Sequence, residues 1–277
     1  MSTAEQKLFE AVKSRDVVKV SSLLKDHPGL DVNWTNEEQW SALHMASYKD
    51  HADIVEVLLE HPHINVNLEN DYGQTPFFLG CQCGKVGVVR VLLKDPRVLI
   101  APKEHNKLTP QWWASFHGHR SVIAWLIASG RDLGDWNAVK GKDKGKKYTA
   151  LDIARQHAHP DVALVLERFL ANPTQIRHEL RVEFGVVDEH AAELFALIVF
   201  LCDGLLQLNP AFTTANLITN PAAFRFFTMV KRLPMELQMI ICHRAVGSAK
   251  DNILSKDSEV AFKSLVRALL LLPSQSD

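Results

Sequence analysis

Apolar side chains recur at a fixed interval along the first two thirds of the chain. Four stretches rich in Val, Leu and Ile begin at residues 54, 88, 122 and 162, so their starts lie 34, 34 and 40 residues apart. Within each stretch the apolar positions follow the spacing of one helix face, as Val55, Leu58 and Leu59 do. The pattern therefore predicts four amphipathic helices.

A second marker precedes each apolar stretch and keeps the same interval. It begins with a hydroxyl residue, and its copies start at Ser41, Thr75, Thr109 and Thr149. A Ser or Thr hydroxyl can accept a backbone N–H from the first turn of a helix, so each residue is a predicted N-cap. Pro76 and Pro110 come next, at a position where the missing N–H of proline costs nothing. Each unit is therefore predicted to be a helix, a tight turn, a second helix and an extended loop.

A hairpin of this size cannot bury its apolar side alone, so neighbouring hairpins must stack to form a continuous core. Gly84 and Gly118 lie between the two helices of their units, where a left-handed residue can end the first helix. Leu58, Leu92 and Leu126 are expected in equivalent positions of successive hairpins. The sequence therefore predicts an all-α solenoid.

These motifs resemble the ankyrin repeat, whose signature opens with Thr-Pro-Leu-His and closes with an Asp-Val-Asn-like turn. The matching segments are Ser41-Ala42-Leu43-His44, Thr75-Pro76-Phe77-Phe78, Asp31-Val32-Asn33 and Asn65-Val66-Asn67. The resemblance covers about residues 4–172 and implies a capping repeat followed by four repeats. The sequence departs from the signature at the histidine position, which is matched by His44 but elsewhere holds Phe78, Trp112 and Asp152.

The ankyrin resemblance implies that a partner protein binds the concave side, which is built from loop tips and from positions late in each first helix. The corresponding loop tips hold Glu37, Glu38, Trp40, Asp71, Tyr72, Gln74, His105, Asn106, Leu108, Lys146, Lys147 and Tyr148. The corresponding helix positions hold Tyr48, Lys49, Gln82, Cys83, Phe116, His117, Gln156 and His157.

Aromatic and charged residues give this surface a character of its own. Large aromatic residues at these positions predict an aromatic track along the surface. Each ring can instead pack against a neighbouring loop. The residues are Trp40, Tyr48, Tyr72, Phe116 and Tyr148. Charge changes from acidic at Glu37, Glu38 and Asp71 to basic at Lys146 and Lys147, which would orient a partner of the opposite gradient.

The last repeat unit contains six extra residues in a lysine-rich loop at residues 140–147, which holds five lysines and one aspartate. Lysine interleaved with glycine is typical of a flexible, solvated connection. The alternative is an electrostatic contact to an acidic protein segment or to a phosphate backbone. Both interpretations remain open from the sequence.

The period stops at Pro173, and the remaining residues are predicted to be helical. The predicted domains are therefore an ankyrin repeat domain at residues 4–172 and a helical bundle at residues 173–277. A helix from about Asp188 to Leu208 is apolar nearly all round and is expected to be central. Further helices are predicted from Pro221, from Pro234 and from about Asp257 to Leu272, with inward residues that include Phe224, Leu237, Ile240, Val260 and Leu265. The segment also resembles the C-terminal part of ankyrin proteins from fungi and amoebae, which implies no activity.

Residues 233–241, which read Leu-Pro-Met-Glu-Leu-Gln-Met-Ile-Ile, are similar to the opening of an F-box. The similarity implies recruitment of a cullin-type ubiquitin ligase through its linker subunit. Because Pro suits the first turn of any helix, the same residues also fit the core of a plain helical bundle.

Composition excludes several classes of function. A net charge of −1 argues against general nucleic-acid binding, and four cysteines are too few for a disulfide scaffold. The cysteines favour a reducing compartment, the cytoplasm or the nucleus. The longest apolar run, from Leu194 to Cys202, is far shorter than the roughly 20 residues that a membrane span needs.

No residue pattern predicts an active site, a metal site or a cofactor. Cys81 and Cys83 have one residue between them, whereas the paired cysteines of zinc sites usually have two to four residues between them. His51, His119 and His159 share one repeat position, so we expect each to hydrogen-bond to a neighbouring hairpin. The chain is predicted to be a non-catalytic protein that binds another protein.

Overall fold

The computed structural model describes residues 3–101, 108–137, 141–143, 146–202, 230, 232–248, 250 and 253–270. Within these ranges the chain is almost entirely helical, as the sequence predicts, with one short pair of strands. The contacts divide the chain into two compact units, residues 1–180 and residues 181–277.

Unit 1 is a series of helical hairpins. Their helices are α1 (Ala4–Lys13) and α2 (Val17–Asp26), α3 (Ala42–Lys49) and α4 (Ala52–Leu59), α5 (Pro76–Gln82) and α6 (Val86–Lys94), α7 (Pro110–Phe116) and α8 (Arg120–Ser129), and α9 (Ala150–Gln156) and α10 (Pro160–Ala171). The first helices pack side by side in the order α1, α3, α5, α7, α9, and the second helices pack in the order α2, α4, α6, α8, α10. Leu58, Leu92 and Leu126 are fully buried at equivalent positions of α4, α6 and α8. The predicted solenoid is therefore confirmed.

The predicted caps begin three of the first helices. The hydroxyls of Ser41, Thr75 and Thr149 each accept the backbone N–H three residues later, at 3.3, 3.2 and 3.0 Å. Thr109 caps α7 without such a bond, and its buried Oγ1 has no partner among the described residues.

Histidines join neighbouring hairpins, as the sequence predicts. A ring nitrogen of His51 lies 2.9 Å from the carbonyl of Val12, and Nε2 of His119 lies 3.0 Å from the carbonyl of Gln82. His159 makes the equivalent bond to Phe116 at 3.0 Å. A carbonyl can only accept, so the ring nitrogen in each bond carries the proton.

The turns between helices must leave room for these histidines. Gly84 and Gly118 are left-handed, with φ of +69° and +74°. A Cβ at Gly84 would come within 2.6 Å of the His119 ring, and one at Gly118 within 2.5 Å of the His159 ring. Glycine is therefore required here by conformation and by contact alike.

The lysine-rich loop contains regular structure that its composition did not predict. Strand β1 (Gly141–Asp143) pairs antiparallel with β2 (Lys146–Tyr148), and Gly141 lies opposite Tyr148. The end of β2 is fixed because Nε1 of Trp112 donates to the carbonyl of Tyr148 at 3.3 Å.

Helix α11 (Pro173–Glu183) crosses the division between the units, which falls after Leu180. Ile176 and Leu180 are buried, and Nε of Arg177 donates to the carbonyl of Ile127 in α8 at 3.3 Å. The first turns of α11 thus pack against unit 1, beyond the boundary that we predicted at residue 172.

In unit 2, helix α12 is central because both other described helices pack against it. The helices are α12 (Val186–Cys202), α13 (Met235–Ala245) and α14 (Ser255–Leu270). Phe195 and Ile198 share an apolar cluster with Cys242 of α13, and Ala192 packs with Ala261 of α14. The helix predicted from Pro221 lies outside the described residues.

Some details predicted for unit 2 were wrong. Helix α12 begins at Val186, directly after a left-handed turn at Gly185, within two residues of the predicted start, but two predicted inward residues are misplaced. Leu237 and Val260, which we expected to point inward, are exposed. In α13 the inward side is taken by Gln238 and its neighbours, since Nε2 of Gln238 is satisfied by the carbonyl of Leu233 at 2.8 Å.

Candidate protein-binding surface

The first helices of successive hairpins lie side by side and share one face. We call this surface the first-helix face; it comprises the exposed and half-buried positions of α3, α5, α7 and α9 and the loops that precede these helices. It is the side that the ankyrin resemblance assigns to a partner. Most of the predicted contact residues lie on it, and the structure shows which of their side chains are accessible.

The loop tips of the first two repeats are accessible and are held by the same turn. In one loop Oδ1 of Asn36 accepts the backbone N–H groups of Glu38 and Trp40, at 3.1 and 2.8 Å. Thirty-four residues later Oδ1 of Asn70 accepts from Tyr72 and Gln74, both at 3.0 Å. Glu37, Glu38, Asp71 and Tyr72 are exposed on these turns. The asparagines were missed in the sequence analysis, although their spacing equals the repeat period.

One predicted contact residue is a core residue. Leu108 is only 8% exposed and packs with Trp112 and Ile153. It comes just before the α7 cap, where an apolar side chain gains more by joining the core than by facing solvent. The assignment of Leu108 to the surface was therefore wrong, and His105 and Asn106 lie outside the described residues.

The helix positions of the first two repeats carry accessible side chains. Tyr48 is 44% exposed, its ring meets Trp40 edge-on with centroids 5.5 Å apart, and Lys49 lies beside it. Gln82 is half-buried, and its Oε1 accepts from Nε2 of Gln74 at 3.1 Å. Gln74 and Gln82 thus link a loop tip to a helix end.

The third and fourth repeats present aromatic and imidazole rings that pack together. The aromatic–imidazole cluster consists of Trp113, Phe116, His117 and His157. The centroid of Phe116 lies 4.2 Å from that of His157, and Trp113 stacks on His117 at 5.4 Å. Trp113 was missed in the sequence analysis, although it lies exactly one period after Leu79 and two after Met45.

Desolvation favours the neutral form of the His117 imidazole in this cluster. Desolvation lowers the pKa of His117, and the neighbouring imidazoles of His119, His159 and His157 lower it further. Desolvation by burial is also the main cause that lowers the pKa of His119. Trp113 and Phe116, whose rings are in contact, form an apolar patch on the first-helix face.

The predicted aromatic track is divided into separate parts. Trp40 and Tyr48 form one pair, whereas Phe116 and Tyr148 both pack against the cluster of Leu108 and Trp112. Tyr72 lies between them in sequence, is 61% exposed and has no ring contact with a described residue. Lys146, Lys147 and Gln156 are exposed at the far end of the face.

The cysteines and histidines of this region offer little reactivity. Burial raises the pKa of the Cys81 and Cys83 thiols, so both favour the protonated form. Across the described ranges, no three His, Cys, Asp or Glu side chains are arranged to hold a metal ion. In the same ranges no helix is long and apolar enough to cross a membrane.

Comparison with known families supports the repeat. Residues 8–100 match the family model described as ankyrin repeats in three copies. The match begins within α1 and runs through α6, whereas α7 to α10 lie beyond it. No curated protein matches the chain.

Proposed function

Because residues 8–100 are ankyrin repeats, we propose that the chain is a non-catalytic interaction module that binds another protein on its first-helix face. Ankyrin repeats generally mediate protein–protein interaction. The observation that carries the proposal is the pair of accessible tyrosines, Tyr48 and Tyr72, on hydrogen-bonded backbone. Tyrosines on a fixed backbone supply contact area at low entropic cost and are frequent hot spots of interfaces.

The backbone below this face is held by side-chain bonds between repeats. Nδ2 of Asn33 donates to the carbonyl of His63 at 2.7 Å, and Oδ1 of Asn33 accepts the N–H of Asn65 at 2.7 Å. Asn67 makes the same two bonds one repeat later, to Arg97 and Leu99. A surface ordered before binding loses less entropy when a partner arrives.

His44 supports a structural role for the polar groups beneath this face. Its ring nitrogens lie 2.8 Å from the hydroxyl of Ser41 and 3.0 Å from the carbonyl of Gln74. Burial lowers the pKa of His44 to about 4, so the ring is neutral at physiological pH. The imidazole thus holds the loop tip that precedes α5, and these two hydrogen bonds account for both of its ring nitrogens.

The proposal is tested by purification of the intact chain and its Tyr48→Ala plus Tyr72→Ala variant from cell lysate, with quantitative mass spectrometry. Removing two interface tyrosines is expected to lower capture of the partner at least tenfold, since a hot spot contributes about 2 kcal/mol or more. Val18→Ala plus Leu164→Ala is the matched control, because both side chains are exposed on second helices. Equal capture by the tyrosine variant and the wild type would contradict the proposal.

The structure makes Phe116 unsuitable for this experiment. Its ring stacks on Trp112 at 5.4 Å and contacts Trp113 at the same centroid distance. Truncation would remove core contacts as well as surface, so a loss of binding would be confounded by a loss of stability.

An alternative function is substrate adaptor of a cullin-type ubiquitin ligase through the F-box-like segment 233–241. The favouring observation is that Met235 and Leu237 of α13 are 60% and 46% exposed, so this segment presents apolar side chains. The same purification distinguishes the alternatives. Cullin and linker subunits that are recovered with the wild type, and lost from a Met235→Ser plus Leu237→Ser variant, would favour the adaptor.

We also propose that the protein acts in the cytoplasm or the nucleus. Cys81, Cys83 and Cys242 are free thiols, which a reducing compartment maintains. Burial raises the pKa of Cys242 to about 12, so this thiol also resists oxidation.

A further inference from the structure

We infer that the partner binds as an extended segment with acidic residues at one end and basic residues at the other. The acidic end meets the lysine-rich hairpin, which we define as β1 (Gly141–Asp143) and β2 (Lys146–Tyr148), and the basic end meets the acidic loop tips at Glu37, Glu38 and Asp71. This inference rests on the proposed function, because it assigns a chemistry and a direction to the partner of the first-helix face.

The lysine-rich hairpin holds positive charge at a fixed place on the face. Its last residue is anchored by the bond from Nε1 of Trp112 to the carbonyl of Tyr148, and the Tyr148 ring packs against Leu108, Trp112 and Ile153. Lys146 and Lys147 are exposed and form no ion pair with the part of the chain that the structure describes. Their charge is therefore available to an anionic partner.

Apolar rings of the aromatic–imidazole cluster lie next to the lysine-rich hairpin. Phe116 and Trp113 belong to the same cluster of rings as Tyr148, and Phe116 also contacts His157. Trp113 and Phe116 are apolar, so these rings suit an aromatic or aliphatic side chain of the partner. A partner residue of that kind would bind the cluster while its acidic neighbours meet the lysines.

The opposite end of the face has the opposite charge. Glu37, Glu38 and Asp71 are exposed on the two asparagine-held turns, and none forms an ion pair with a residue of the described ranges. A partner bound in the reverse direction would place like charges together at both ends, which disfavours that orientation.

The spacing of the helices sets the length of the partner segment. Packed helices lie about 10 Å apart, so the three steps from α3 to α9 span roughly 30 Å. An extended chain covers that distance with about nine residues at about 3.3 Å each. A protein segment fits this mixed charge better than a nucleic acid does, because the acidic tips would repel a phosphate backbone.

The test is selection of random twelve-residue peptides displayed on phage against the intact protein. Enriched peptides are expected to concentrate Asp and Glu in one half and Lys and Arg in the other. Lys146→Glu plus Lys147→Glu should weaken binding of a recovered peptide about tenfold in 0.1 M salt, because attraction becomes repulsion at both sites. Lys19→Glu plus Lys25→Glu on α2 is the matched control, expected to stay within twofold.

The outcomes separate this inference from the proposed function. In one outcome, enriched peptides depend on Tyr48 and Tyr72 for binding, show no charge pattern and bind the Lys146→Glu plus Lys147→Glu variant with unchanged affinity. That result would overturn the inference and leave the proposed function standing. Failure to enrich any peptide would overturn the inference, whereas the proposed function is decided by lysate capture with the Tyr48→Ala plus Tyr72→Ala variant. Lysine-dependent binding of a labelled 20-nucleotide single strand that displaces the peptides would replace the inference with a nucleic-acid site.

The wild-type protein supplies a second measurement that needs no variant. Affinity for a recovered peptide should fall several-fold between 0.05 and 0.3 M salt, since ions screen exposed charge pairs. Affinity that stays constant over this range would also overturn the inference. All four substituted lysines are exposed, so each variant is expected to fold like the wild type. Thermal melting of each variant checks this.

Discussion

The repeats inside the ankyrin match and the repeats beyond it are built from the same backbone and different side chains. In the first group Nε2 of His44 bonds to the carbonyl of Gln74, the residue before the next cap, at 3.0 Å. Beyond residue 100 Trp112 takes the histidine position, and its Nε1 bonds to the equivalent carbonyl, that of Tyr148, at 3.3 Å. Histidine and tryptophan can therefore both supply an N–H donor at this position, whereas Phe78 in the second repeat has none.

The bonds between inter-repeat loops change in a similar way. Asn33 and Asn67 bridge successive loops in the matched repeats, but the next position of the series is Ala101. There Arg131 takes over, and its guanidinium donates to the carbonyls of Leu93, Asp95 and Val98. The family signature thus fades while the hairpins and their stacking continue.

The largest expected effect tests whether the two groups are equivalent in their cores. Leu92→Ala in the matched repeats and Leu126→Ala beyond them should each lower the free energy of unfolding by about 2–5 kcal/mol, because both side chains are fully buried. Urea unfolding of the intact chain measures both values. Leu99→Ala is the control at a 60% exposed leucine, and we expect a change within about 0.5 kcal/mol.

A much smaller cost for Leu126→Ala than for Leu92→Ala would break the equivalence. It would mean that the later hairpins pack loosely and that the end of the family match marks a real change in the core. Equal costs would show that the core is packed equally well where the ankyrin signature residues have been replaced.

The sequence predicted the repeated core more completely than it predicted the surface. Apolar periodicity and caps are local signals that recur, so the hairpins and the inter-hairpin histidines followed from spacing alone. Leu108 was misplaced because the choice between loop surface and core depends on Trp112 and Ile153, which approach it only in the folded chain.

The strand pair of the lysine-rich loop and the buried Gln238 of unit 2 were also not predicted from the sequence, for two different reasons. The lysine-rich loop has the composition of a flexible linker, whereas in the folded chain the end of its second strand accepts a tertiary bond from Trp112. In α13 the pattern favoured Leu237 as an inward residue, but Gln238 is buried because a backbone carbonyl satisfies its amide. Periodicity cannot reveal a polar residue that finds its partner inside.

One pH-dependent effect is expected from His44 in the matched repeats. Burial lowers the pKa of His44 to about 4, below its ordinary value of 6.5, so the unfolded chain takes up the proton first as pH falls. The resulting stability is complete above pH 6.5 and is lost as pH falls to about 4. A shift of this size corresponds to roughly 3 kcal/mol.

His44→Phe, which copies the natural residue at Phe78, is the variant that isolates this effect. It should unfold with a weaker pH dependence between 6.5 and 4, measured as the free energy of unfolding at several pH values. Identical pH profiles for the variant and the wild type would show that His44 titrates normally and is not buried as described.

The smallest expected effect asks whether Trp112 truly replaces the signature histidine. Trp112→Phe keeps a ring but removes the donor to Tyr148, and should cost about 1 kcal/mol more than Trp113→Phe, which removes a buried Nε1 that has no partner within the described ranges. The adjacent tryptophan is a close control because both substitutions delete the same atoms. Urea unfolding of the two variants gives the difference. If Trp113→Phe proves as costly as Trp112→Phe, the indole acts only by filling space, and the later repeats have lost the bond that His44 makes in the earlier ones.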